Sequence, residues 1–473
     1  MKNKLIIFGI LVITNTLFAD YRDFFIKDLK NINNNYEPII VSTEEYFQDI
    51  EEYLEYRKNE YPNIGLVDIK DIQKEFSGDN AESLRSFIFY TKENWISKSL
   101  KNIMLVGWFD RISNLRLKED NLVNDTLGKD AYLVLDTLNG IDTLIYNIGR
   151  LPARSSEDLK LLINKIKYFE ANSYKNKFDA IFLYDSLDYE PFEYLGKQTA
   201  KNFDNDKVFH VSGNPKSSYF NDFSTWLNEV NFGTTFLLGY IHGNPCKWGY
   251  NNFLSCEKYM NTQFDNNPFI FLGASCSQRI QNPTTKELLE LLLTKDRYGA
   301  VATLASEIDA FASIGGDILE NFIKYSKYNP EGTIGSAWRF AINNCNCSNY
   351  KFNYTLLGDP LLKVKIISDL SEENITNNHI YPNPAKDYII INLDSINPTL
   401  KRGVAGIGAG VEGASSIEIY DIMGIKIQTT PVETKNFSSL HRIDISNLSP
   451  GVYFVKIFSC NGDCFIVEKF VKY

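Results

Sequence analysis

The chain has 473 residues, enough for about three folding units at roughly 150 residues each. Hydrophobic residues make up 44% and charged residues 23%, an ordinary globular balance that excludes wholesale disorder and fibrous repeats. Lys plus Arg number 49 against 59 Asp plus Glu, a formal net charge of −10, which disfavours non-specific binding to nucleic-acid phosphates.

The first element in the chain is a targeting segment. Lys2 and Lys4 precede an apolar run over Leu5–Ile13, polar residues follow, and Ala19–Asp20 offers a cleavage point. That is the layout of a secretory signal peptide over residues 1–19, too short in its apolar part to span a bilayer. The rest of the sequence contains no comparable apolar run, so no integral membrane segment is expected after its removal.

From there the sequence alternates short apolar runs with stretches of helical periodicity. Runs at Ile39–Val41, Gly65–Ile69, Ile103–Gly107, Tyr132–Leu135, Leu144–Ile148 and Ala180–Tyr184 read as strands, as do Thr235–Ile241, Pro268–Ala274 and Tyr298–Ala305. Helices are expected at Thr43–Arg57, Ala81–Asn94, Ser156–Phe169, Thr285–Leu293 and Gly316–Tyr325. Alternation of this kind implies an α/β fold, a mostly parallel sheet with helices on both faces. In such sheets functional groups collect at the carboxyl ends of the strands. Boundaries are placed at residues 20–170 for an N-terminal α/β subdomain and 171–367 for a catalytic α/β subdomain. A polar linker over 368–378 follows.

Beyond the linker the strands lack intervening helices. Tyr388–Leu393, Ile417–Tyr420, Ile443–Ile445, Val452–Ile457 and Phe465–Val471 read as a small all-β sandwich over residues 379–473. Residues 408–413 spell GxGxxG, but a dinucleotide fingerprint needs a strand before and a helix after it. Here a loop precedes and a strand follows, so residues 397–416 read as a flexible insertion.

Seven cysteines matter in an exported chain. Cys246 with Cys256, and Cys460 with Cys464, are close enough to close small loops, whereas Cys345 and Cys347 sit too near each other to pair without strain. Six cysteines allow 15 pairings, so connectivity stays open. There is no zinc-type spacing. Cys276 ends an apolar run and is the leading free thiol.

The catalytic region contains two histidines, His210 and His242. One apolar run, Phe236–Ile241, ends in His242-Gly243; another, Phe269–Ser275, ends in Cys276. On adjacent parallel strands these two ends bring His242 and Cys276 side by side. An imidazole raises the thiolate share of a nearby thiol and protonates a leaving amine. Gly243 has no side chain, so its N–H and that of Cys276 are candidates for an oxyanion hole.

These residues resemble a known family. Strand–His–Gly followed by strand–Ser–Cys is similar to the caspase–legumain–clostripain–gingipain clan of cysteine peptidases. Leu105-Val106-Gly107, Ile148–Arg154, Tyr240–Gly243 with Trp248, and Leu356–Leu362 narrow the likeness to gingipains over roughly residues 37–367. The resemblance implies a caspase-like fold and a secreted endopeptidase acting on protein or peptide substrates. His242 would be its general acid/base, Cys276 its nucleophile, and Gly243 and Cys276 its oxyanion donors. It implies no cofactor for the chemistry and leaves structural calcium open, although no EF-hand spacing occurs. The pattern departs from the family at Ile241, at Ser277-Gln278-Arg279 and at Ile145, where a carboxylate often orients the histidine; Asp142 is the nearby substitute. The alternatives are a catalytically weak member serving as a surface binding or adhesion protein, and a transpeptidase using the same dyad. Arg150 reads as structural, holding a neighbouring loop through a carboxylate. Glu157, Asp158, Glu307 and Asp309 are acids that sequence alone does not place in a specificity pocket.

The C-terminal region, with Tyr381–Ala385, Ile419–Gly424, Leu448–Ile457 and Lys469–Val471, resembles the sorting domain of type IX secretion substrates. That implies the type IX machinery as a partner. It also implies passage through the periplasm and outer membrane, to be secreted or attached at the cell surface.

Overall fold

The computed structural model describes residues 20–96, 98–115, 129–138, 140–250, 253–265, 267–277, 282, 284–345, 347, 349–364 and 366 of the first part. In the second part it describes 380–381, 386–392, 414–421, 426–431, 440–459 and 464–472. The signal peptide, the linker and the GxGxxG segment lie outside these residues. The chain divides into two compact units, Met1–Ser368 and Asp369–Tyr473.

A 10-stranded sheet organises the first unit. Its order is Gly65–Asp68, Ile39–Ser42, Asn102–Val106, Asn147–Leu151, Tyr354–Leu357, Ala300–Ser306, Phe269–Ser277, Thr234–Tyr240, Phe178–Tyr184 and Val208–Ser212. Neighbours pair in parallel except that Tyr354–Leu357 runs antiparallel to Ala300–Ser306. Tyr354–Leu357 also meets Asn147–Leu151 through a parallel bridge at Leu357–Arg150. The central strands are buried at every position, as in Phe178–Tyr184 and Thr234–Tyr240. Burial on both faces explains why they read as unbroken apolar runs rather than alternating ones.

Helices follow most strands, and local chemistry sets their starts. Helix Asn80–Asn94 opens with a capping box between Asp79 and Glu82. Helix Ser156–Asn172 opens where the Ser155 side chain accepts from the Asp158 N–H; it runs through residue 170, so the sheet continues across that position. Helix Ala312–Tyr328 packs close to the strand carrying Cys276. A Cβ on Gly315 would fall 1.6 Å from the Ala274 carbonyl oxygen, so no other residue fits there. The turn at Gly358 has φ +142, and a Cβ there would come within 2.5 Å of Ala302 Cβ.

Several expected elements differ. Tyr132–Leu135 is not a strand: Asp130–Leu133 is a 3-10 turn, followed by a hairpin of Leu135–Leu138 and Ile141–Leu144. Asp130 is drawn inward by Arg150, whose Nε and Nη2 donate to its two carboxylate oxygens at 2.8 and 2.7 Å. The other guanidinium edge donates to the Gly107 and Ile112 carbonyls. Arg150 is thus the loop anchor its motif indicated. Thr43–Arg57 splits into a 3-10 turn and helix Phe47–Lys58. Helices Tyr189–Ala200, Phe223–Asn231 and Ile334–Asn344 and strand Val208–Ser212 are additional.

The second unit contains a 3-stranded sheet of Ile380–Tyr381, Tyr388–Asn392 and Leu440–Asp444. A 4-stranded sheet is ordered Lys426–Pro431, Ala414–Asp421, Gly451–Ser459, Cys464–Lys472. Both are antiparallel. Ile389, Ile391 and Ile443 from one sheet share a buried cluster with Ile417, Ile419, Val455 and Phe470 from the other, which is the interior of a sandwich. The strand Ala414–Asp421 takes in residues 414–416, which had been assigned to the insertion, because it pairs there with Pro431 and Phe458.

Cys246 and Cys256 form a disulfide. Cys345 and Cys347 form another. The helix ends at Asn344 and Cys345 turns extended, with the two Cα atoms 5.2 Å apart. Cys460 lies outside the described residues, so its pairing with Cys464 does too.

Candidate active site

The site lies where three parallel strands end. Phe178–Tyr184 leads into Asp185, Thr234–Tyr240 leads through Ile241 into His242, and Phe269–Ser277 contains Cys276. The last two pair in parallel as far as Gly273 with Gly239, and Cys276 and His242 each follow that rung by three residues in sequence. The Cys276 side chain lies outside the described part. On the far side, Leu183 pairs with Gly239 and Tyr184 with Tyr240, and the Asp185 N–H donates to the Tyr240 carbonyl at 3.2 Å.

Asp185 is the residue that sequence reasoning missed. Its Oδ2 accepts from the His242 backbone N at 2.6 Å and lies 2.9 Å from His242 Nδ1. Its Oδ1 accepts from the backbone N–H groups of Ser186, Leu187 and Tyr250 at 2.6, 3.2 and 2.9 Å. A buried carboxylate needs such partners, and here the donors come from three separate segments. Neither expected orienting position performs this role. Ile145 carries no carboxylate, and Asp142 accepts from Thr137 Oγ1 at 2.7 Å across its hairpin.

With Nδ1 donating to Asp185, the Nε2 lone pair of His242 is the one left to accept a proton. The imidazole packs edge-on to Phe192 with centroids 5.1 Å apart, and its side chain is 45% exposed, so it is open to a substrate. On the Nε2 side Asp188 Oδ2 lies 3.8 Å away. Asp188 has φ 52, the one non-glycine residue with positive φ among the described residues.

His210 has a different environment. It sits on the edge strand Val208–Ser212, its Nδ1 2.8 Å from the Tyr184 hydroxyl and its ring stacked on Tyr219 at 4.7 Å. Burial pushes its pKa down to about 4. It is built into an aromatic stack, away from the strand ends that carry His242 and Cys276.

After His242 the chain forms a small antiparallel sheet of Gly243–Asn244, Lys247–Trp248 and Leu254–Ser255, closed by the Cys246–Cys256 disulfide. The Gly249 N–H donates to the His242 carbonyl at 2.8 Å. That bond makes Gly243–Trp248 a non-hydrogen-bonded pair, so the Gly243 N–H points away from its partner strand. Trp248 is buried and stacks on Phe271 of the Cys276 strand, centroids 4.2 Å apart.

Two of the acids left open by the sequence are structural. Glu307 is fully buried and accepts from Thr355 Oγ1, and Asp158 accepts from Lys286 Nζ at 2.6 Å. Asp317, Cys345 and Cys347 place ligand atoms within 4.8 Å of one another. Two sulfurs, bonded to each other, are the wrong donors for calcium, which takes oxygen ligands, so this group does not fit that ion.

Comparison with known proteins agrees with this architecture. Residues 31–365 match the model of peptidase family C25, and residues 379–473 match that of the secretion system C-terminal sorting domain. Among solved structures, the Arg-specific cysteine proteinase gingipain R superposes with TM-score 0.57 at 14% identity, covering 95% of this chain and 100% of that one. A complex of pro- and mature domains from Porphyromonas gingivalis gives 0.56 at 14%, covering 92% and 100%. A structure described only as a protease gives 0.56 at 16%, covering 96% and 100%. At these identities the likeness bears on the fold alone. No curated protein sequence matches. The sorting domain identifies an exported chain, secreted or held at the cell surface, and no helix among the described residues is long and apolar enough to cross a membrane.

Proposed function

This chain belongs to peptidase family C25, and from that premise we propose that it hydrolyses peptide bonds through His242 and Cys276 by way of an acyl-enzyme. The carrying observation is the clamp of Asp185 on both the backbone N and Nδ1 of His242, just past the strand that pairs in parallel with the one containing Cys276.

The steps follow from that geometry. His242 Nε2 takes the Cys276 thiol proton, and the thiolate sulfur bonds to the scissile carbonyl carbon. The electron pair displaced onto oxygen is met by the N–H groups of Gly243 and Cys276. When the oxyanion collapses, the C–N bond breaks and the imidazolium gives its proton to the leaving amine. The resulting thioester is attacked by water, whose proton passes to Nε2. The C–S bond then breaks, the imidazolium proton passes to sulfur, and the carboxylic acid leaves and loses its own proton to solvent. Throughout, Asp185 holds the ring with Nδ1–H inward and stabilises the transient positive charge.

A peptide-library cleavage assay under reducing conditions, on the wild type, Cys276→Ala and His242→Ala, tests this reading. Cleavage by the wild type alone, with a peptide mass added to the protein on rapid acid quench, supports it. Cleavage by Cys276→Ala would mean another nucleophile. A silent wild type would leave a binding protein. Peptides joined to an added amine would indicate transpeptidation.

A further inference from the structure

Apart from the strand-end site, the first unit has a cavity of about 510 Å³ among the hairpin strand Ile141–Leu144, the following Ile145 and Tyr146, and helix Ile334–Asn344. Two cations and no carboxylate line it. Lys92 is already paired with Asp136. Arg339 has no such partner among the described residues. Its guanidinium makes one hydrogen bond, from Nη1 to the Ile145 carbonyl at 3.0 Å, and no ion pair among the described residues. Burial lowers its pKa, and no carboxylate offsets that effect. Its Nε and Nη2 have no hydrogen-bond partner among the described residues, and the side chain lines the cavity. The Asn343 amide is held by the Leu144 backbone, accepting from its N–H at 2.9 Å and donating to its carbonyl at 3.0 Å. The rest of the wall is mainly apolar, with Ile145, Tyr325 and Phe340, the last two rings 5.2 Å apart, beside the polar Thr143, Ser336 and Asn344.

A half-buried guanidinium with a free fork matches the two oxygens of a carboxylate, and does so better than a point charge such as an ammonium would. An apolar chamber with one such anchor fixes the orientation of a ligand carrying both groups. We propose that this cavity binds the free C-terminal carboxylate of a peptide through Arg339, with an apolar terminal side chain against Phe340, Tyr325 and Ile145. Binding itself does not rest on the peptidase reading. That reading supplies the source, since each hydrolysed bond leaves one new carboxylate.

The test is calorimetric titration of the full chain carrying Cys276→Ala, so that binding is measured without turnover. The probes are N-acetyl-phenylalanine and its amide, which differ only in the charge. The acid is expected to bind at least tenfold tighter than the amide. Arg339→Met should erase that difference. It also removes the donor to the Ile145 carbonyl, so Asn344→Glu is the second variant. Asn344 is exposed and lines the cavity, and a carboxylate there opposes the charge of the ligand while leaving the Arg339–Ile145 bond intact. Equal binding of acid and amide, no binding of the acid, or an Asn344→Glu chain that still prefers the acid would each overturn the proposal. Failure here would leave the cleavage assay of the wild type untouched, and the reverse also holds.

Discussion

Asp185 Oδ2 lies 2.6 Å from the His242 backbone nitrogen and 2.9 Å from its Nδ1, so one oxygen fixes both where the chain leaves its strand and how the ring is turned. Asp185→Asn is nearly isosteric but must present an NH₂ either to these two donors or to the backbone donors on Oδ1. The expected result is a fall in kcat of about 10²-fold or more with KM little changed, as expected when a histidine loses its orienting partner. Mispairing in a buried site should also cost about 1–3 kcal/mol of stability. Steady-state kinetics and thermal melts read the two effects separately. A variant with wild-type kcat would remove Asp185 from the mechanism.

Arg150 makes a second test, of stability alone. Its side chain is fully buried, bidentate on Asp130 and bonded to two carbonyls. Breaking one side of such a pair strands the other charge in the interior. Arg150→Met should therefore lose about 3–5 kcal/mol in denaturant unfolding. Arg150→Met combined with Asp130→Leu should lose less than Arg150→Met alone. If the double variant is the weaker one, the loss comes from packing and not from a stranded carboxylate.

The Cys246–Cys256 disulfide closes the loop that begins right after His242. A loop of this length contributes about 2–3 kcal/mol by restricting the unfolded chain. Cys246→Ser with Cys256→Ser should lower Tm. It should also reduce kcat, because the Gly243–Trp248 pairing then lacks its tether. The Cys276 thiol needs reducing conditions, so activity of the wild type should rise and then fall as dithiothreitol increases. The double serine variant should show only the rise. A falling limb that persists in that variant would assign it to another group.

The legible and illegible parts of the chain divide along physical lines. His242 follows one buried strand and Cys276 lies near the end of another, and the unbroken apolar runs of both announce themselves. Asp185 follows Phe178–Tyr184 in the same way, and the rule that selected the other two would have selected it. The family pattern points instead to Ile145 and Asp142. The strand Val208–Ser212 lies at the sheet edge with its first three residues half exposed, so its pattern carries no buried signature. The turn Asp130–Leu133 was hidden for another reason: it is shaped by Arg150, 20 residues away, and no local window contains both.

Lys165 gives the last prediction, a dependence of stability on pH. It is fully buried on helix Ser156–Asn172, and its Nζ donates to the Leu292, Leu293 and Ala300 carbonyls at 3.1, 2.8 and 3.1 Å. Burial pushes its pKa down to about 7, from 10.5, with Asp296 opposing the shift. Between pH 7 and about 10.5 the unfolded chain holds a proton on Lys165 that the folded chain has released. The unfolded state binds more protons there, so stability must rise with pH through this window, by up to roughly tenfold in the folding constant per pH unit. Below pH 7 both states are protonated and the contribution is flat. Other groups titrate in the same range, so the quantity to measure is the difference in unfolding free energy between the wild type and Lys165→Met. That difference should climb from pH 7 to 10 in favour of the wild type and be level from pH 5.5 to 6.5. A difference that is level throughout would mean that the three carbonyls keep Lys165 charged in the fold. One that falls with pH would mean that they raise its pKa.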